Sequence, residues 1–183
     1  LGGKSGEAIV LDFQRKAIAL FLDAYKDKQI SAHLVIVCKP TQSSPAATVE
    51  AVILDTTSDW TEGTKLGNTA AEGEVTFSAP QFGGKPWTNA EGKAVADFRE
   101  LFYDKDYDKF RTLVNSHTLQ IGPDDKGKPV KLELDAKFLE SFAHGPTCKG
   151  LILCTRGDVM ADFSSREQSG QVPTLVLTVG DKK

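Results

Sequence analysis

The chain is short of the residues that most chemistry needs. It holds three cysteines, Cys38, Cys148 and Cys154, and three histidines, His33, His117 and His144. The cysteine spacing is not that of a zinc site, and no motif surrounds any histidine. An odd number of cysteines leaves at most one disulfide, with buried free thiols as the plainer expectation. Cys38 and Cys154 both end strand-like runs and form the pair able to face each other. Positive charge is not in excess either: 22 Lys and Arg stand against 25 Asp and Glu, a formal net charge of −3. Such a balance supplies no basic field for nucleic acid or an anionic membrane. No apolar run is long enough to span a bilayer, so no membrane insertion is expected. Gly3-Lys4-Ser5 echoes the end of a phosphate loop. Its upstream strand and first glycine are missing, and a strand-like run follows where a helix is required. No nucleophile elbow or triad pattern occurs, and nothing selects a pair of carboxylates for glycoside hydrolysis. These absences point away from an enzyme.

What is present reads as one mainly β domain. The 183 residues, 40% hydrophobic and 26% charged, suffice for a single core over residues 1–183. The opening Leu1-Gly2-Gly3 reads as a mature or trimmed piece. Strand-like runs recur at residues 7–12, 16–23, 31–39, 49–55, 74–78, 130–135, 150–156 and 174–179. The sharpest sets Val130, Leu132 and Leu134 against Lys131, Glu133 and Asp135, a strand with one wet face. In residues 16–23, Ile18, Leu20 and Leu22 share one period-two face. The run 31–39 places Ala32, Leu34, Ile36 and Cys38 against His33, Val35 and Val37, which predicts cover on both sides. The last run has Pro173 at its entrance, where a missing N–H costs no ladder bond. Turn-rich punctuation separates these runs, at residues 40–45, 63–73, 122–127 and 165–173. Many short strands spaced this way predict an antiparallel sandwich or jelly roll.

One stretch breaks the pattern. Between residues 88 and 117, Ala94, Val95, Phe98, Leu101 and Phe102, then Tyr107, Phe110, Leu113 and Val114, fall mostly three and four apart. That spacing predicts a short helical insertion around residues 90–116, started by Thr88-Asn89. A shorter helical turn is expected at residues 136–142.

The order of these features resembles the DNRLRE-type domain, a jelly-roll β-sandwich related to carbohydrate-binding modules of secreted proteins. The residues that carry the resemblance are Arg15 in a run leading to Phe21-Leu22-Asp23, the core strand Ala32-His33-Leu34, and the turn Trp60-Thr61-Glu62-Gly63-Thr64. Trp87, the strand Gly150-Leu151-Ile152-Leu153, the turn Ser165-Arg166-Glu167 and the closing Pro173-Thr174-Leu175 complete it. Residues 88–128 stand outside the resemblance as an insertion, and the family's name-giving string is absent. The resemblance implies a non-catalytic carbohydrate-binding module, secreted or at the cell surface, whose partners are polysaccharide and the neighbouring domains of a larger chain. It implies no cofactor, although modules of this kind often carry a structural calcium; no ligands for one can be named.

The candidate ligand-binding residues follow from sugar chemistry. Pyranose C–H groups pack on aromatic faces, which selects Trp60, Trp87, Tyr103 and Tyr107. Tyr103 and Tyr107 would share a helix face. Arg166 and Glu167 would rim the site by charged hydrogen bonds, or else pin their own loop. Each tryptophan has an equally physical alternative, as a cover over one end of the core. Asp104, Asp106 and Asp108 alternate like a calcium loop, but Lys109 and Asn115 stand where that loop needs Gly and Glu. A competing reading is a structural module that spaces or displays its neighbours and binds no sugar; it expects both tryptophans to be packed. A third, an enzyme built on the helical segment, expects carboxylates or histidines converging in a deep pocket.

Overall fold

In the computed structural model, residues 8–39, 46–62, 70–76, 78–96, 98–102, 117–155, 161–164 and 171–181 are described. Among the described residues, seven strands and two short α-helices follow in order: β1 (Ile9–Leu11), α1 (Arg15–Ala24), β2 (Gln29–Val37), β3 (Ala47–Asp55), β4 (His117–Ile121), β5 (Pro129–Leu134), α2 (Ala136–His144), β6 (Cys148–Thr155) and β7 (Thr174–Gly180). The strands form two antiparallel sheets, one ordered β1-β6-β3-β4 and the other β5-β2-β7. The protein is therefore mainly β.

Alternation explains the three-stranded sheet. On β5, Val130, Leu132 and Leu134 are buried while Lys131 and Glu133 face water. They register against Ile36, Leu34 and Ala32 of β2, so apolar side chains meet apolar side chains on one face. The closing strand β7 ladders along the other edge of β2, from Thr174 opposite Val35 to Gly180 opposite Gln29. The outer face, with His33, Val35 and Val37, is half-buried rather than covered.

The central strands of the four-stranded sheet, β3 and β6, are buried on both faces. Ala47, Val49, Ala51, Leu151 and Leu153 point into the main core, shared with β2, β5 and both helices. Val52, Leu54, Ile152 and Cys154 point the other way, into a second cluster with Trp87, Val95, Phe98, Leu101 and Phe102. β3 and β6 accordingly read as near-continuous apolar runs. β4 lies against β5, and α1 packs on α2, which in turn packs on β6. Asp135 starts α2: its Oδ1 accepts the Phe138 N–H at 2.7 Å. Phe138, Leu139 and Phe142 then bury one face of that helix.

Three sequence expectations are corrected. Residues 16–23 are not a strand but most of α1. Ile18 and Leu22 are buried one helical turn apart, while Leu20 between them is 70% exposed. Residues 74–78 form no strand where they are described; their backbone bonds follow no ladder, running from Glu74 N to Ala71 O, Val75 N to Thr61 O and Thr76 N to Ala79 O. Thr88-Asn89 does not cap a helix. Thr88 bridges Ala94, and Asn89 Oδ1 accepts the N–H groups of Glu91 and Lys93 at 3.1 and 2.9 Å, a turn closed by Gly92 at φ +79°. Of the expected helical stretch, the described part holds one 3₁₀ turn, Phe98–Leu101, and at its end His117 opens β4. Residues 103–116 lie outside the described residues. All three cysteines are buried and free. Cys38 belongs to the main core and Cys154 to the second cluster, so the two do not face each other.

Candidate functional site

The expected site residues do not assemble. Trp87 is 1% exposed. Its ring packs on Phe98 at a centroid distance of 4.9 Å, and its Nε1–H donates to the Thr76 carbonyl at 3.1 Å. With no free face and its polar handle satisfied, Trp87 is a core residue, and its expected role as a stacking platform is corrected. Trp60 is half-buried at the rim of the same cluster, and its Nε1–H donates to the Lys149 carbonyl at 2.7 Å. Tyr103, Tyr107, Arg166 and Glu167 lie outside the described residues.

Local chemistry explains why both tryptophans are drawn in. Residues 56–58 and 87–89 are laced together by hydroxyls. Thr57 Oγ1 meets Thr88 Oγ1 at 2.7 Å, Ser58 Oγ meets it at 2.8 Å, and Ser58 Oγ accepts the Thr88 N–H at 2.9 Å. Thr56 Oγ1 donates to the Thr88 carbonyl. This latch holds the Trp87 loop over the second face of the four-stranded sheet.

A different place has the shape of a binding site. β1 is one edge of the four-stranded sheet and β7 one edge of the three-stranded sheet; the other edges, β4 and β5, lie against each other. Between β1 and the approach to β7 opens a cleft of about 490 Å³, lined by residues 9–14, Glu62, Phe163, Val172 and Pro173. Its size falls in the usual range for ligand pockets, about 300–1,000 Å³. A second hollow of about 230 Å³ shares Phe13 and Gln14 with it and continues between α1 and β7 over Ala17, Ile18, Phe21, Leu175 and Leu177. The walls are mostly apolar. Phe13 is fixed edge-on to Phe142 at 6.4 Å. Phe163 is held by an isolated bridge to Cys38.

Among the described residues, the polar side chains of the cleft are Asp12, Gln14 and Glu62. Asp12 Oδ1 stands 3.9 Å from Arg15 Nε. Loss of hydration beside the apolar walls raises the Asp12 pKa, opposed by the Arg15 charge and the Phe13 N–H. The Arg15 guanidinium is engaged inward, where Nη1 donates to the Cys148 carbonyl. Among the described residues, no cluster of three or more His, Cys, Asp or Glu could hold a metal ion. None of the described helices is long and apolar enough to cross a membrane.

Sequence reasoning missed this cleft. β1 is three residues long, and neither its edge position nor the placing of Phe13 and Phe163 on one cleft leaves a trace in local patterning. Comparison with known proteins finds no matching family model, no matching curated protein and no matching solved structure. The class the coordinates define is thus a mainly β protein of two antiparallel sheets with a cleft between their edges.

Proposed function

We propose that the chain is a non-catalytic structural module of a larger extracellular protein, one that spaces or displays its neighbours. The observation that carries this reading is the packing of both tryptophans. Trp87 is a core residue and Trp60 is tied to Lys149, so neither offers sugar a free flat face with an unspent polar edge. A jelly-roll arrangement, kinship with the DNRLRE-type domain and a secreted or surface location belong to the same proposal; the two antiparallel sheets and the closing strand β7 support the first of these.

A second reading, polysaccharide binding, draws support from the cleft. Phe13 and Phe163 line it together with Asp12, Gln14 and Glu62, the combination of aromatic rings and hydroxyl partners that sugars use. The two readings part in one experiment. The whole chain is incubated with insoluble cellulose, chitin and xylan and with a glycan array, beside Phe13→Ala and Trp60→Ala. No retention of the parent is the expected result. Retention that Phe13→Ala abolishes would overturn the structural reading in favour of the cleft as a glycan site.

A further inference from the structure

Among the described residues, β1 is paired on one side only. Residues 9–11 ladder with Leu153, Ile152 and Leu151 of β6 on one side. On the other side they make no backbone hydrogen bond to any described residue. A strand edge presents unpaired N–H and C=O groups, and globular proteins usually cover it or guard it with charge, proline or a bulge. Here Ile9, Val10 and Leu11, each half-buried, line the cleft beside its apolar walls. Half-dehydrated backbone polar groups gain most from a partner that brings its own donors and acceptors in register. On the far wall, Pro173 has no N–H to offer, and the Val172 carbonyl already accepts the Thr174 hydroxyl at 2.9 Å. That wall supplies shape rather than a competing ladder.

We propose that the β1 edge accepts an extended peptide segment of a neighbouring protein as an additional strand, with alternate apolar side chains and a lysine or arginine placed against Asp12. The inference rests on the structural-module reading and says how such a module would join its neighbour. The alternation follows from the faces of β1. Ile9 and Leu11 lean on the main core, whereas Val10 leans on the second cluster beside Trp60. An added strand, about 4.8 Å away, keeps the same period. One set of its side chains enters the cleft towards Phe13 and Phe163, and the other crosses the rim by Val10 and Trp60. The cation follows from charge complementarity. The ionisable side chains among the described lining residues are Asp12 and Glu62, both acidic; Arg15, whose Nε stands 3.9 Å from Asp12 Oδ1, also spends its Nη1 on the Cys148 carbonyl, and the Asp12 side chain, 51% exposed, has room for a second cation. Strand addition of this kind draws affinity from main-chain bonds and specificity from alternate pockets.

The test uses a random-heptapeptide phage library panned on the intact chain, with Asp12→Lys as the counter-target. The best sequence is then synthesised and titrated calorimetrically. Enrichment of alternating apolar peptides bearing Lys or Arg is expected. N-methylation at every second residue on one edge should abolish binding, while methylation of the intervening residues leaves it intact. Asp12→Asn should weaken binding roughly fivefold, the loss of one partly hydrated ion pair. Amide exchange within residues 9–11 should slow when the peptide is bound. The proposal is overturned if enrichment is equal on Asp12→Lys, if no sequence is enriched, or if N-methylation is without effect on either edge. Because Asp12→Asn leaves every β1 backbone group in place, its effect is readable without risk to the fold. Retention on polysaccharide would refute the module reading, whereas failed panning without retention would remove the strand-addition proposal alone.

Discussion

Replacing Trp87 by alanine separates a core tryptophan from a sugar platform. At 1% exposure, packed on Phe98 and bonded to Thr76, the side chain has three contributions to lose. Truncating a buried Trp to Ala costs about 3–5 kcal/mol through lost transfer energy and the cavity left behind. The orphaned Thr76 carbonyl adds about 1 kcal/mol where water cannot reach it. Against a typical total of about 5–15 kcal/mol, Trp87→Ala should lose a third or more of the stability. With a urea m-value of about 1–3 kcal/mol/M, the midpoint should fall by roughly 2 M at unchanged m. Trp87→Phe keeps most of the ring and should cost about 1–2 kcal/mol, the missing bond plus a small void. The assay is urea unfolding followed by circular dichroism, with fluorescence in a Trp60→Phe background. There the Trp87 emission should be blue-shifted and poorly quenched by iodide until the chain unfolds. A Trp87→Ala variant within about 0.5 kcal/mol of the parent would refute the burial argument, because surface substitutions fall in that range. If that variant also lost retention on a polysaccharide, the stacking role would be restored.

Three further outcomes are expected. Gly150 has φ +147°, and a Cβ there would stand 2.7 Å from the Leu11 carbonyl oxygen and 3.5 Å from Trp60 Cζ2; Gly150→Ala should therefore push β1 off β6, cost about 1–3 kcal/mol in urea unfolding and speed amide exchange in β1. Asp135→Ala removes the cap of α2 and should cost about 1 kcal/mol by the same titration, with the N–H of Phe138 exchanging faster. Burial, then the nearby Asp125 charge, raises the Cys38 thiol from 9.0 to about 11. Native Cys38 should resist iodoacetamide at pH 8, and rapid labelling of the folded chain would contradict its burial. The sign for stability follows. Between pH 9.0 and about 11 the unfolded chain releases this proton while the folded chain keeps it. That contribution, complete below the window, is lost as pH rises through it, and Cys38→Ala should flatten the decline.

The strands with one wet face were legible from their residues. On β5, the alternation of Val130, Leu132 and Leu134 with Lys131 and Glu133 admits one pleat, and on β7 Pro173 marks the start. Residues 136–142 were legible as helix because Phe138, Leu139 and Phe142 sit at three- and four-residue spacing behind a capping aspartate. α1 was not. Ile18 and Leu22 lie four apart, a spacing that both periods satisfy, and Leu20 alone distinguishes them. Whether Leu20 faced a core or water depended on what packed above it, and α2 and the β-sheets left it in solvent.

The candidate site divides the same way. Composition and charge pointed away from nucleic acid, and residue types nominated Trp60 and Trp87 for a surface. Whether a large aromatic stacks on a ligand or fills a core is settled by its neighbours, and Phe98, Leu101 and Phe102 reach Trp87 from across a turn that has no period to read. The cleft is more remote still from local pattern: it lies between β1 and the approach to β7, strands at the margins of different sheets, and no short-range signal carries that strand order. Side-chain periodicity therefore determined which residues alternate between core and water along a strand. Strand order, a property of contacts far apart in the chain, decided which edge stayed open and which aromatics were enclosed.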